Sequence, residues 1–487
     1  MTTIPYPLPM SQPSPAAVSL ARRRTMRLVE APGDPLVTGQ AFAPASRGQL
    51  QRWAVIGGGI LGMTLAHRLA QAGRDVTLFD AAEHLGGIAA TWELGGISWD
   101  RHDHATHQSD LHLRALWDEL GLAGELRWTA ARTGFYADGR LHALSNSLEL
   151  LRFSPLRWLD KARLAATVLR ASRVKDPLPL EEIPVSDWLR RWSGRRTFET
   201  IWLPLLKARL GEHYQETPAA FLWRTIARLS AARRTGLKQE MLGHLPGGYA
   251  RILSRFAEKL AGEGVKLHTG HAVQRIARAE APGGVRVAVR DRRGTFSETF
   301  DQVVVTVPAP IAARICHGLT DDETRRLREI RYLGTICASL LLRKPLAGFY
   351  VTNIADPGIP FTTVVEKSTL LDRAELGGNT LVYLPRSVDP EDAAFSLSDA
   401  ELQEPCLAAL EKIVPGFVRS DLLCFRVSRV KHAFALPTLH SSRRQPPVST
   451  SLPGLHLVNA AHLAHDTLSS NETIGLANRT AERLCSG

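Results

Sequence analysis

Trp53-Ala54-Val55-Ile56-Gly57-Gly58-Gly59-Ile60-Leu61-Gly62 is the stretch that decides the fold. Trp53 to Ile56 is short and continuously apolar, as a parallel strand buried on both faces requires. Ile60, Leu65, Ala66, Leu69 and Ala70 then recur at helical spacing until Gly73, which stops the helix. Val76-Thr77-Leu78-Phe79 is the next strand, and Asp80 closes it. The stretch therefore reads as a β-α-β unit.

Its glycines have separate duties. Gly57 permits the tight turn, Gly59 lets a pyrophosphate approach the backbone, and Gly62 lets the helix pack close to the strand. The helix N-terminus at Ile60 and Leu61 offers free amides and a partial positive charge to phosphates. Asp80, 18 positions past Gly62, stands where a carboxylate accepts from both hydroxyls of a ribose. No Arg follows it to hold a 2′-phosphate, which disfavours NADP. Gly86-Gly87 comes next. A second glycine pair lets another loop lie against a diphosphate and ribityl chain, a feature that flavoproteins use and NAD enzymes do not. The expected cofactor is FAD.

Val55 to Gly87 resembles the N-terminal FAD fingerprint of the flavin amine oxidase, protoporphyrinogen oxidase and phytoene desaturase superfamily. Leu245-Pro246-Gly247-Gly248-Tyr249, the helix after it and Val265 to Val273 resemble the segment where those enzymes re-enter the FAD domain. That likeness implies an adenine contact at Val273. Leu455 to Leu484 resembles the C-terminal FAD motif, whose helix points at the flavin ring. There the likeness implies contacts from the amides of Glu472, Thr473 and Ile474, in a helix expected to start close to Asn471. Two departures stand out. Ile88 replaces an Arg after the glycine pair, and Asn459-Ala460-Ala461 replaces a Gly-Asp. Asn459 is then the residue left to hydrogen-bond the ribityl chain. No cysteine falls just before the last helix, so the FAD is expected to be non-covalent.

The resemblance implies an α/β fold, with a discontinuous, doubly wound FAD-binding domain of the glutathione-reductase-like Rossmann kind and an inserted α+β substrate domain. The expected division gives residues 51–105, 240–310 and 450–487 to the FAD domain. Residues 106–239, mainly helical, and 311–449, with a mixed sheet, form the substrate domain. The implied function is an FAD-dependent oxidoreductase that removes hydride from a C–N or C–H bond of a small or lipid-like substrate. A non-redox mutase or isomerase of the UDP-galactopyranose mutase type is one alternative. A membrane-associated FAD-binding protein without turnover is the other.

Composition narrows the field. The chain has 487 residues, 44% hydrophobic and 22% charged, which excludes a mostly disordered protein. No apolar run approaches the roughly 20 residues of a membrane-spanning helix. The five cysteines are scattered with no C-x-x-C pair, which fits a reducing cytoplasm. Residues 1–50 hold eight of the 29 prolines and are expected to be a disordered tail. The net charge of +12 is no evidence for nucleic acid, since no zinc finger, basic heptad helix or RNP-like strand accompanies it.

Three further features need weighing. Asp100, His102, Asp103, His104, His107, Asp110 and His112 crowd one stretch. His102 and His104 have the i, i+2 spacing of a strand, yet no third element supplies ligands, so no metal is expected. Under the resemblance, His102 or His104 faces the flavin ring; the competing reading is a solvated loop. Glu366 and Lys367 are candidates by residue type, because amine oxidases often place a Lys near flavin N5; the simpler reading of both is an exposed strand end. Residues 151–175 carry seven basic residues and one acidic, with Trp158, Leu159, Ala162, Ala165, Ala166 and Leu169 on one helical face. That profile suits a peripheral membrane contact. The simpler expectation puts the apolar face in the core.

Overall fold

The computed structural model describes residues 50–174, 176–223, 226, 240–280, 284–463 and 469–486. The tail expected over residues 1–50 lies, except for Leu50, outside the described residues.

β1 (Arg52–Ile56), α1 (Ile60–Gln71) and β2 (Asp75–Phe79) form the β-α-β unit. β1 and β2 are buried in all but their first residues, as their unbroken apolar runs require. They lie at the centre of a five-stranded sheet. Its order is Lys266–His268, β2, β1, Gln302–Val305 and Leu455–Leu457, and every pairing is parallel. Strands far apart in the chain thus converge on one sheet. α1 is buried along most of its length, with the helices Gly248–Gly262 and Ser470–Cys485 packed against it. His67 on α1 is fully enclosed, with Nδ1 2.6 Å from Glu263 and Nε2 2.8 Å from Glu119. Burial works against its charged form, but the two carboxylates outweigh burial and raise its pKa.

A second, seven-stranded sheet is mixed. Val351–Ile354 runs parallel to Thr133–Ala137, while the remaining pairings are antiparallel. Its long central strand, Tyr332–Leu342, is buried at ten of eleven positions, between Thr380–Val388 and Leu422–Ala435.

One expectation needs correcting, and two gain detail. Besides the helices expected of it, the span 106–239 holds the strands Arg127–Ala130, Thr133–Ala137 and Arg140–Ala143. They are only four or five residues long, too short for a period-2 signal to stand out. The helix Trp158–Ala171 buries Asp160, Leu164, Thr167 and Ala171. Its apolar stripe instead faces outward, with Trp158 75% exposed, Leu159 51% and Leu169 49%. Periodicity marks a stripe but not the side the core lies on. The last helix starts at Ser470, close to Asn471 as expected, because Ser469 Oγ accepts the Glu472 amide and takes the N-cap.

Candidate FAD site and substrate cavity

The β1–α1 turn is built from atoms that leave no room for side chains. Gly57 has φ +110°, and a Cβ there would meet Thr306 Oγ1 at 2.5 Å. A Cβ on Gly62 would stand 1.8 Å from the carbonyl oxygen of Gly57. Gly59 caps α1 without a side chain, and the first turn carries no acidic residue. The first bond into the helix is Met63 N to Gly59 O. The amides of Ile60, Leu61 and Gly62 therefore have no partner within α1.

Gly86 and Gly87 lie directly against this turn. Gly86 N donates to Gly58 O at 2.8 Å, and a Cβ on Gly87 would be 3.1 Å from Gly59 Cα. Both have positive φ, +116° and +59°. Asp80 closes the other side: its Oδ2 accepts from Gly58 N at 2.5 Å and its Oδ1 from Ala82 N at 2.7 Å. Burial raises the Asp80 pKa and the two amides pull against it. Val273 packs against the apolar cluster that includes Ile56 and Phe79. A side-chain-free cradle, uncapped helix amides and a carboxylate at the strand end fit the diphosphate and ribose of FAD.

The C-terminal elements are placed differently from expectation. Asn459 is buried with both polar ends used, Oδ1 accepting from Ala461 N and Nδ2 donating to Val307 O. In the last helix, Glu472 N is capped by Ser469 Oγ and Thr473 N donates to Ser469 O. The uncommitted amides of the first turn thus move from Glu472–Ile474 to Ser470 and Asn471.

The loop after Gly87 leads into a dense polar cluster. His104 Nδ1 is 2.9 Å from His102 O. A carbonyl only accepts, so Nδ1 carries the proton and Nε2 keeps its lone pair. The His104 ring packs 4.5 Å from the Tyr249 ring. His102 Nε2 is 3.0 Å from Ser428 Oγ. Desolvation, reinforced by neighbouring positive charge, pushes His102 down to about 3 and His104 to about 4, so both are neutral at pH 7. Neither belongs to a solvated loop.

Glu366 and Lys367 are each only 2% exposed, not at an exposed strand end. Lys367 Nζ pairs with Asp103 Oδ1 at 3.0 Å and donates to His104 O. It therefore braces the histidine loop from below. The Glu366 carboxylate faces elsewhere and accepts the amides of Leu346, Ala347 and Gly348. The structure thus brings His102, His104 and Lys367 together and leaves Glu366 apart.

Asp100 belongs to the same cluster, though it was not singled out as a site residue. It is fully buried, and burial lifts its carboxyl to about 7 against the pull of Lys367 and the Tyr249 amide, 2.8 Å from Oδ1. The available signal was Gly247-Gly248: a Cβ on Gly248 would be 3.0 Å from that same Oδ1. Of this cluster, His102 lines a cavity of about 380 Å³, together with Gly87, Trp92 and the segment from Arg426 to Val430. Among the described residues, no group of three or more His, Cys, Asp or Glu could hold a metal ion.

Comparison with known proteins supplies the decisive observation: residues 62–483 match the family of flavin-containing amine oxidoreductases. The chain belongs to that family. Membership of this family gives it FAD as its cofactor. It is 30% identical over 298 residues to coproporphyrinogen III oxidase of Mycobacterium bovis, a match covering 57% of this chain and 63% of that protein. The chain thus spans less than two thirds of that relative's length. It is 25% identical over 383 residues to zeta-carotene desaturase of Synechocystis sp., covering 73% of this chain and 74% of the relative. The solved structure of an oxidoreductase from Methanosarcina mazei superposes with a TM-score of 0.69 at 16% identity. That likeness covers 88% of this chain and all of the other, and it shows the α/β fold.

Proposed function

We propose that this family member removes hydride from a C–H or C–N bond of a small or lipid-like substrate held in the cavity between Gly87 and the strand Leu422–Ala435. The bound FAD supplies a hydride acceptor at flavin N5. One observation carries the reading: the cavity borders the second glycine loop on one side and the seven-stranded sheet on the other. The Asp80 carboxylate and the α1 amides anchor the nucleotide end. His102 and His104, kept neutral by burial, line or support the reacting end without adding charge. Lys367, locked to Asp103, positions that loop rather than reacting itself. The relatives named for a porphyrinogen and a carotene make a flat or lipid-like substrate the first to test.

The outward face of Trp158–Ala171 belongs to the same reading. Leu148, Leu151, Trp158 and Leu159 are all more than half exposed, among Arg152, Arg157 and Lys161. Exposed apolar groups flanked by cations suit the interface of an anionic bilayer, through which a lipid-like substrate arrives. Among the described residues, no helix is long and apolar enough to cross a membrane.

The test is an anaerobic spectral screen of the holoprotein against amines, prenyl lipids, porphyrinogens and nucleotide sugars. Bleaching of the flavin by one class, with peroxide formed on readmitting air, is the expected result. A substrate that turns over only on pre-reduced flavin, with no net oxidation, refutes the hydride reading. For the membrane face, Trp158→Ser/Leu159→Ser should abolish co-sedimentation with anionic vesicles; unchanged sedimentation refutes it.

A further inference from the structure

The cavity wall holds two arginines that the account so far leaves unused. Arg101 and Arg426 both stand over the Trp92 ring, with their guanidinium carbons 5.8 and 4.5 Å from its centroid. Each is steadied by a single carbonyl: Arg101 Nε donates to Thr91 O at 3.1 Å, and Arg426 Nη1 to Glu93 O at 2.8 Å. Neither has a carboxylate partner among the described residues. Arg429, on the same wall, differs: its Nη1 pairs with Asp399 at 2.7 Å, and Asp399 also accepts Val427 N. The one carboxylate bordering the cavity is thereby occupied. Burial, with the Arg426 charge adding to it, pushes the Arg101 pKa down. Two like charges drawn to one ring favour an anion that both can reach. The remaining walls, with Gly87, His102 and Ser428, offer small or neutral groups.

We propose that Arg101 and Arg426 form an oxyanion-binding subsite of the cavity, which holds a carboxylate or phosphate group of the substrate beside the reacting carbon. The subsite rests on the functional reading above, and it narrows that reading to anionic substrates. The planar fork of each guanidinium suits bidentate contact with either group. Anchoring at the charged end orients the neutral part of the substrate towards Gly87 and His102.

The test is calorimetric, on the FAD-loaded protein and without turnover. Two probes separate the two anion sources: coproporphyrin III for carboxylates and uridine diphosphate for phosphates. One of them should bind wild type, with affinity falling as salt rises. Arg101→Gln and Arg426→Gln should each weaken that binding about tenfold, and the double variant about a hundredfold. FAD content and Tm should stay at wild-type values. If the double variant does not fold, the single variants and the salt dependence of wild type carry the test. Failure of both probes to bind wild type, binding unchanged in the single variants, or affinity insensitive to salt overturns the proposal. Parallel loss of FAD from the variants also overturns it, because the arginines would then serve the cofactor. None of these results depends on flavin bleaching, so a failed spectral screen leaves the subsite standing, and a failed titration leaves the hydride reading standing.

Discussion

Gly62→Ala probes the closest approach in the site. The added methyl would start 1.8 Å from the Gly57 carbonyl oxygen, and ordinary contact begins near 3.4 Å. The helix start and the turn must therefore separate by about 1.6 Å, and the obstacle is backbone, which cannot swing aside. Alanine gains about 1 kcal/mol of helix propensity over glycine. Overpacking a closed site costs about 1–3 kcal/mol, so the folded protein should lose modest stability, with Tm lower by about 1–2 °C in a chain of this length. The effect on FAD is larger. A displacement of this size takes the amides of Ile60 and Leu61 out of hydrogen-bond range of a diphosphate. Charge-assisted bonds contribute about 1.5–3 kcal/mol each, so losing even one weakens binding roughly ten- to a hundredfold. Flavin fluorescence titration of apoprotein reads Kd, and circular dichroism reads Tm. Gly262→Ala is the control: a Cβ there meets nothing within 4 Å at the end of a helix, so FAD affinity should not change. If Gly62→Ala binds FAD as wild type does, the α1 amides do not hold the diphosphate.

Three further outcomes follow from the same geometry. Acid precipitation should release all the FAD into solution; colour retained in the pellet would reveal a covalent bond. His67, with its pKa raised by Glu119 and Glu263, contributes stability that is fully present below its ordinary value of 6.5 and is lost as pH rises through the raised one. His67→Gln should thus cost about 1–3 kcal/mol at pH 6 and clearly less at pH 9 in denaturant titrations; equal costs would show that the histidine is not charged in the fold. Asp100 works in the opposite sense to a salt-bridged carboxylate. With its carboxyl lifted to about 7 from 3.8, the native state holds a proton that the unfolded chain has lost. Stability should therefore fall between about pH 4 and 7, by up to about 1.4 kcal/mol per unit, and Asp100→Asn should flatten that slope. An unchanged slope would place the titration elsewhere.

The first cofactor loop was legible because its requirements are mostly local. Gly62 must be glycine for a reason that holds within ten residues of chain, the Gly57 carbonyl oxygen, whereas the side chain that closes on Gly57, Thr306, comes from 249 positions away; Asp80 follows from strand length. The polar cluster was legible only as a crowd of residue types. Which of them meet depends on Tyr249 and Lys367, which arrive from 149 and 267 positions away from Asp100, and sequence spacing says nothing about that. Glu366 and Lys367 show the limit plainly. As neighbours on a strand end they point to opposite sides, one to the Leu346–Gly348 amides and the other to Asp103. The exposed stripe of Trp158–Ala171 shows another limit, since amphipathic spacing is the same whether the core or a bilayer lies opposite it.

A crystal structure of the FAD-loaded protein tests the central claim most directly. The account expects the diphosphate on the amides of Ile60 and Leu61, the adenosine ribose on Asp80, and the flavin end past Gly86-Gly87 towards the cavity beside His102. A nucleotide seated anywhere else on the chain, or no nucleotide at full FAD concentration, would contradict it.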